Sequence, residues 1–338
     1  MQVLFSRAAI AVSLTLRFAG LMGAAGAIAH PLSLTGIPIA QAQPTETPSA
    51  IDRQFARAVD FLDNQAPVGL LQAAFDHRDR NPPYEHISLG RYYLTLGYPT
   101  EALEMLEVAM VLPGSDVYQS VLLVDESEIY QQLGRYDDAI AAANQALELI
   151  QQAEATDTKR LQAIGATASG NSYEKANALY QLGRSYLAKE ELDLAVEALT
   201  ESVRILEQGE TPSLQAQASY ALSLAYDAQG ESEKAAQAAA KAEKIRTRLA
   251  QFYQWDVASL DPAQSLEPWD RRLQEMKAAI AELQSAIDTY EKAGNAVAAT
   301  EGRCYLGNLF QKIGLLELAH QQLEQAGDCP IAEPSKQP

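Results

Sequence analysis

An all-α array of antiparallel helix pairs, stacked as a solenoid, is the fold class the sequence predicts, on three observations. Leu179, Leu182, Gly183, Tyr186, Ala195 and Leu199 state a pattern of small and large apolar residues, and Ser219, Leu222, Ser223, Tyr226, Ala235 and Ala239 restate it at the same offsets. A pattern recurring at such a period means repeated supersecondary units. Ala and Leu are abundant while Val/Ile/Thr alternation over strand lengths is absent, which reads as helical. A chain of 338 residues also suits an elongated array whose length follows repeat number rather than core size.

The N-terminus reads as a targeting segment, residues 1–42. Arg7 and Arg17 supply positive charge, Phe18 to Ala29 an apolar run, and no acid intervenes. Small residues in A-x-A spacing occur at Ala27 with Ala29 and at Ala40 with Ala42. Cleavage after Ala42 is the favoured reading, because the Gln/Pro/Thr tract that follows suits a soluble mature terminus. An uncleaved anchor is the alternative; the apolar run is short of the roughly 20 residues a span needs. The expectation is therefore an exported protein of the periplasm or another extracytoplasmic compartment, with membrane contact only if the segment stays uncleaved. The chain carries a net charge of -18, and everything after residue 42 is acidic on balance. Such a surface repels nucleic acid and anionic headgroups.

After a linker over 43–50, Ile51, Phe55, Ala58, Val59 and Leu62 share one helical face, and Val68 to Phe75 makes a shorter helix; residues 51–82 are an N-terminal cap or a degenerate repeat. The first clear unit carries Leu89, Gly90, Tyr93, Gly97, Ala102, Leu106 and Ala109. Gly90 and Ala102 are small enough for two antiparallel backbones to approach, Tyr93 and Leu106 fill the space on either side, and Gly97 makes the turn. A second unit runs through Leu123, Tyr130, Gly134, Tyr136, Ala139, Ala143 and Ala146, and the two copies described above are the third and fourth. The last has Leu306, Gly307, Phe310, Gly314, Leu316, Ala319, Leu323 and Ala326. Between Ala235 and Ala319 there is room for one more unit. Ala279, Leu283 and Ala286 supply its second helix, but Pro262 and Pro268 interrupt the stretch that should form its first, so 251–294 is a degenerate half-repeat.

These residues resemble the tetratricopeptide repeat, a two-helix unit of about 34 residues with this small/aromatic/small arrangement. The resemblance spans 83–326, with an insertion at 151–172 holding Gly165, Gly170 and Asn171, and a C-terminal tail at 327–338. It implies a right-handed superhelix whose inner face, lined by the first helix of each unit, holds an extended peptide or a partner's helix. Chaperone adaptors of the family grip a partner's terminal carboxylate with Lys and Asn; here those places hold Ile87, Arg91, Asp125, Asn177 and Gln181, so the basic clamp is missing.

No Gly-rich phosphate loop, nucleophile elbow or zinc-protease motif is present, and neither catalytic residues nor a cofactor is expected. His77 with Asp76 and Asp79, and His86 nearby, suit a polar connection better than a metal site, since no i,i+4 histidine pair or paired cysteines accompany them; His320 reads as solvent-facing. Acidic runs such as Asp125, Glu126 and Glu128 read as solvated faces. Cys304 and Cys329 are the only cysteines. Antiparallel packing of the last unit brings its two ends together, so in an oxidising compartment they can pair and stabilise that unit by about 3 kcal/mol; two buried thiols are the alternative.

Function is expected on the inner face. The side chains one turn from the packing residues are Tyr84, Arg91, Glu128, Asn177, Tyr180, Arg184, Gln217, Tyr220, Asp227 and Asn308. Tyr180 and Tyr220 stand at equivalent offsets beside Arg184, the residue types that binding hot spots use; the plainer alternative is that each Tyr packs on its neighbour. Phe252, Tyr253, Trp255 and Trp269, gathered around prolines, cover an open repeat edge rather than line a pocket. The expected function is a non-catalytic protein-interaction scaffold of the cell envelope that takes a partner segment in its groove. The alternatives are a structural subunit using the convex face, and a ligand-binding protein or enzyme with a pocket at the insertion or the aromatic segment.

Overall fold

Helix pairs joined by tight turns make up nearly all the secondary structure of the computed structural model, which describes residues 49–329 apart from 65, 81, 163–171, 210 and 328. Residues 1–42, expected to be a targeting segment, residues 163–171 of the expected insertion and the end of the tail lie outside the described residues. The thirteen α-helices are α1 (Ala50–Asn64), α2 (Val68–His77), α3 (Pro82–Leu96), α4 (Pro99–Val111), α5 (Gln119–Gln132), α6 (Tyr136–Gln162), α7 (Ser172–Ala188), α8 (Leu192–Leu206), α9 (Pro212–Ala228), α10 (Ser232–Tyr253), α11 (Pro268–Lys292), α12 (Ala296–Lys312) and α13 (Leu316–Ala326). No strand occurs among the described residues, and no helix there is long and apolar enough to cross a membrane.

The repeat pattern works through close backbone approach. A Cβ added to Gly90 would lie 3.2 Å from the Ala102 carbonyl oxygen; at Gly183 and Gly307 it would lie 3.3 Å from the carbonyls of Ala195 and Ala319. Ser127 stands at this place in the second unit, and its hydroxyl donates to the Ala139 carbonyl at 2.8 Å. A small side chain is thus what lets α3 and α4, α5 and α6, α7 and α8, and α12 and α13 cross closely. The pairs then stack in chain order, α4 on α5, α6 on α7 and α8 on α9, which sets α3, α5, α7 and α9 side by side on one face.

The turn inside each pair needs a residue in the left-handed region. Gly97, Gly134, Gly230 and Gly314 fill it with φ between 72° and 91°, but Glu190 holds the same place in the third pair at φ 60°. A Cβ there costs energy that glycine avoids.

The C-terminal third does not continue the stack. Residues 254–267, the strap, leave α10 and return the chain to its N-terminal end, where α11 packs on α1 and α3. Tyr290 of α11 donates to Asp52 of α1 at 2.7 Å, and its ring meets Phe55 edge-on at 6.0 Å. The helix missing from the degenerate unit is therefore supplied by α1, from the opposite end of the sequence. No α-helix forms over 254–267, the stretch that Pro262 and Pro268 were expected to interrupt, and Pro268 stands in the first turn of α11, where its lack of an N–H is harmless. Tyr93 of α3 donates to the Ile313 carbonyl at 2.8 Å and Tyr98 meets Phe310 edge-on. One apolar core thus joins Leu62, Leu71, Tyr93 and Leu106 to Leu273, Met276, Leu306 and Phe310, while Leu199, Val203, Leu214 and Leu222 belong to a separate core in α7–α10.

Cys304 and Cys329 are joined, with Cα atoms 5.6 Å apart, and close the last pair at its open end. α6 is long, as expected of a unit that precedes the insertion.

Candidate partner-binding groove

The face built by α3, α5, α7 and α9 is the expected inner face, and polar contacts run across it from helix to helix. Arg91 donates from Nε to Asp125 Oδ2 at 2.8 Å, tying α3 to α5. Gln131 Nε2 donates to the Gln181 carbonyl at 2.8 Å, tying α5 to α7. Gln181 receives Arg184 Nη1 at 3.2 Å and reaches Asn177 Oδ1 at 3.3 Å. Buried amides need such partners, so the network fixes the spacing of the helices that line the groove.

Several of the expected groove residues meet here. Arg184 and Arg91 lie close enough to influence Glu128, whose carboxyl is pushed up by burial, with Arg184 opposing and Asp125 adding to the shift. Asp125 is buried and also pushed up by burial, against the pull of Arg91. Tyr84 is half-buried near Ser88 and Arg91. Tyr180 is only 4% exposed, with the Arg184 guanidinium 5.3 Å from its ring centre. It packs the groove floor rather than offering a free ring, because α7 is flanked by α5 and α9. Tyr220 is half-buried and Asp227 exposed, both on α9. Asn308 stands on α12, which packs chiefly on α11 and α13, and shares none of these contacts.

Part of the groove is filled by the chain itself. Gln217 of α9 donates to the Ala263 carbonyl at 3.2 Å, and the Leu266 N–H donates to Ser213 Oγ at 2.8 Å. Trp269, in the first turn of α11, sets its ring 5.5 Å from that of Tyr92. Asp270 follows, held up by burial and eased by Ser265 and Arg91. At the far end of the strap Arg246, nearly fully buried, donates to the Leu260 carbonyl at 2.5 Å. Tyr253 stacks on Trp255, and Arg271 lies over the Trp255 ring. Trp255 and Arg271 line a cavity of about 10 Å³ with Leu260, Asp261 and Leu266, at the lower limit for one water. Ligand-sized space is not found there.

Sequence reasoning missed Tyr92, Gln131, Trp269 and Asp270 as parts of the groove. Gln131 and Tyr92 carry a weak signal, being on first helices; Trp269 and Asp270 carry none, since only tertiary folding brings them to α3. Among the described residues no group of His, Cys, Asp and Glu is arranged to hold a metal ion. His86 is buried with Nδ1 2.6 Å from the Pro82 carbonyl, and His320 pairs with Glu324 on the surface.

Residues 122–152 and 176–205 match the tetratricopeptide repeat model, and these are the α5/α6 and α7/α8 pairs. No curated protein sequence matches the chain. Among solved structures it is similar to MamA, at 21% identity and a TM-score of 0.38 over 61% of this chain and 99% of that one. It is also similar to the apo form of RapI, at 12% identity and a TM-score of 0.40 over 72% and 96%. A putative kinesin light chain from Podosopora anserina with nearly identical TPR-like repeats follows, at 17% identity and a TM-score of 0.31 over 62% and 94%.

Proposed function

We propose that this tetratricopeptide-repeat protein is a non-catalytic scaffold that binds an extended segment of another protein in the groove of α3, α5, α7 and α9. One observation carries the reading: the groove already holds a non-helical stretch of polypeptide, a turn at 262–264 that runs on to the start of α11. Ser213 and Gln217 address the backbone of residues 263–266, and Tyr92 receives a side chain beyond it. Side chains that pair with backbone N–H and C=O, beside a place for an aromatic anchor, are what recognition of an extended peptide requires. Tyr220, Asp227 and Arg184 lie beyond the strap's contacts and extend the surface. The charge pattern of residues 1–42 and the Cys304–Cys329 bond support export to an oxidising compartment such as the cell envelope.

A photo-crosslinking residue placed at Tyr220, compared with one at Val108 on α4, tests the reading in cells. Adducts with one partner at position 220, lost on Arg184→Ala with helicity unchanged, are expected. Adducts at 108 alone would instead favour an assembly subunit using its outer face, a reading supported by Val108 and Val111 on one side of α4 and Val117 just after it, all exposed.

A further inference from the structure

The strap is the ligand the groove is seen to hold, and its fit is uneven. Its apolar part seats well. Leu266 is 3% exposed, and Trp269, three residues on, lies against Tyr92. The backbone between α10 and α11 is received by Ser213 and Gln217 without regard to sequence.

The charged part seats poorly. Asp270 enters a groove that already contains Asp125 and Glu128, while Glu267, three residues before it, is exposed. The nearby guanidiniums are already engaged: Arg91 with Asp125, and Arg184 with Gln181 and the Tyr180 ring. Arg271, the next residue of α11, turns instead to Glu275 and Trp255. Burial pushes the carboxyls of Glu128 and Asp270 upward, Asp270 against a hydrogen bond from Ser265 and the pull of Arg91, and the Asp270 charge adds to the shift of Glu128, so these two carboxylates oppose one another across the contact. Like charges gathered at an interface are a standard way of weakening one occupant relative to another.

Resting on the groove reading above, we infer that the strap is a displaceable internal ligand. The partner is a segment that follows the strap's path, irregular at its start and entering a helical turn at its aromatic residue, with an aliphatic side chain three residues before that aromatic one and without carboxylates where the strap carries Glu267 and Asp270. Such a segment keeps the contacts of Leu266 and Trp269 and brings no like charge to Glu128. The strap excludes weak or wrongly spaced segments by competing for the same places, and because it is tethered its local concentration is high.

Two fluorescein-labelled peptides of residues 260–272 test this, one of native sequence and one with Glu267→Gln and Asp270→Asn. Each is titrated at pH 7 with the full chain and with the full chain carrying Trp269→Ala, whose helicity is checked by circular dichroism. The neutral peptide is expected to bind at least about tenfold more tightly than the native one. Tyr92→Ala in the protein, or Trp269→Ala in the peptide, is expected to remove that binding. Equal affinities of the two peptides, binding indifferent to Tyr92, or no binding even to the Trp269→Ala chain would each overturn the inference. If the peptides fail while the adduct at position 220 still forms, the ligand class falls and the groove reading stands; if that adduct is missing as well, both fall.

Discussion

The stack of α5 to α10 and the body formed by α1–α4 with α11–α13 are built from the same kind of helix pair, yet they hold together differently. In the stack every helix touches its neighbours in sequence, and the core consists of residues such as Ala195, Leu199, Ala218 and Leu222. In the terminal body the deciding contacts join residues 220 to 242 positions apart: Tyr93 with Ile313, Asp52 with Tyr290, and Asp63 with Tyr305. A stack can lose an end and keep its middle, since each unit depends on nearest neighbours. A body closed by both ends of the chain has no such independence.

The largest effect expected from this difference comes from paired core truncations. Phe310→Ala should cost about 3–5 kcal/mol and Leu199→Ala about 2–5 kcal/mol, because both side chains are fully buried. Hydrogen exchange separates them. Phe310→Ala should speed exchange in α1 and α3 as well as α11–α13 while sparing α8; Leu199→Ala should do so in α7–α10 and spare α1. Uniform loss of protection in either variant would mean that the two regions unfold as one.

A smaller effect, of opposite sign, is expected inside the stack. Glu190→Gly replaces the one side chain that occupies the left-handed turn position and should stabilise the third pair by about 1 kcal/mol. Denaturant unfolding reads this directly, and a shift toward lower midpoint would show that the Glu190 conformation is not strained.

The smallest effect concerns pH, and its sign differs between two contacts of α11. Asp52, at the α1 contact, is held below its ordinary value by hydrogen bonds from Tyr290 and Ser49. Its contribution is present above the unfolded-state value, about 4, and is lost as pH falls below it. Asp270 and Glu128, at the groove contact, are raised by burial. Their contribution is full below about 4 and is lost as pH rises through the higher folded-state values. Both tryptophans of the chain, Trp255 and Trp269, lie at the strap and the first turn of α11. Their emission should therefore shift to the red as pH climbs from about 4 toward neutrality; an unchanged spectrum over that range would count against a charge-weakened strap.

Much of this arrangement was legible because it is local. The recurring small residues at Gly90 with Ala102 and Gly183 with Ala195 predicted where helices cross, and the added-Cβ distances at those glycines show why. The pairing of Cys304 with Cys329 was one of two readings that antiparallel packing within one unit allowed, and the structure selects it. The groove was legible in part: Arg91, Glu128 and Arg184, read from their offsets as inner-face residues, stand on α3, α5 and α7, and both guanidiniums lie near Glu128. Tyr180 did not emerge as a free side chain, because its offset specifies a direction from the helix axis and says nothing about how closely α5 and α9 flank it.

What the sequence determined by itself is the unit: two helices, a small residue at their crossing, a left-handed turn between them, and a polar first-helix face. Each of these depends on residues within one or two helical lengths, where periodicity and turn chemistry act. The tertiary structure alone decided that α1 completes the unit of α11 and that the strap lies in the groove. Those contacts depend on the summed rise and rotation of four stacked pairs, which brings Trp269 back to Tyr92. No single residue spells out that sum, so a chain that reads as an open series of repeats becomes one that holds its own binding face.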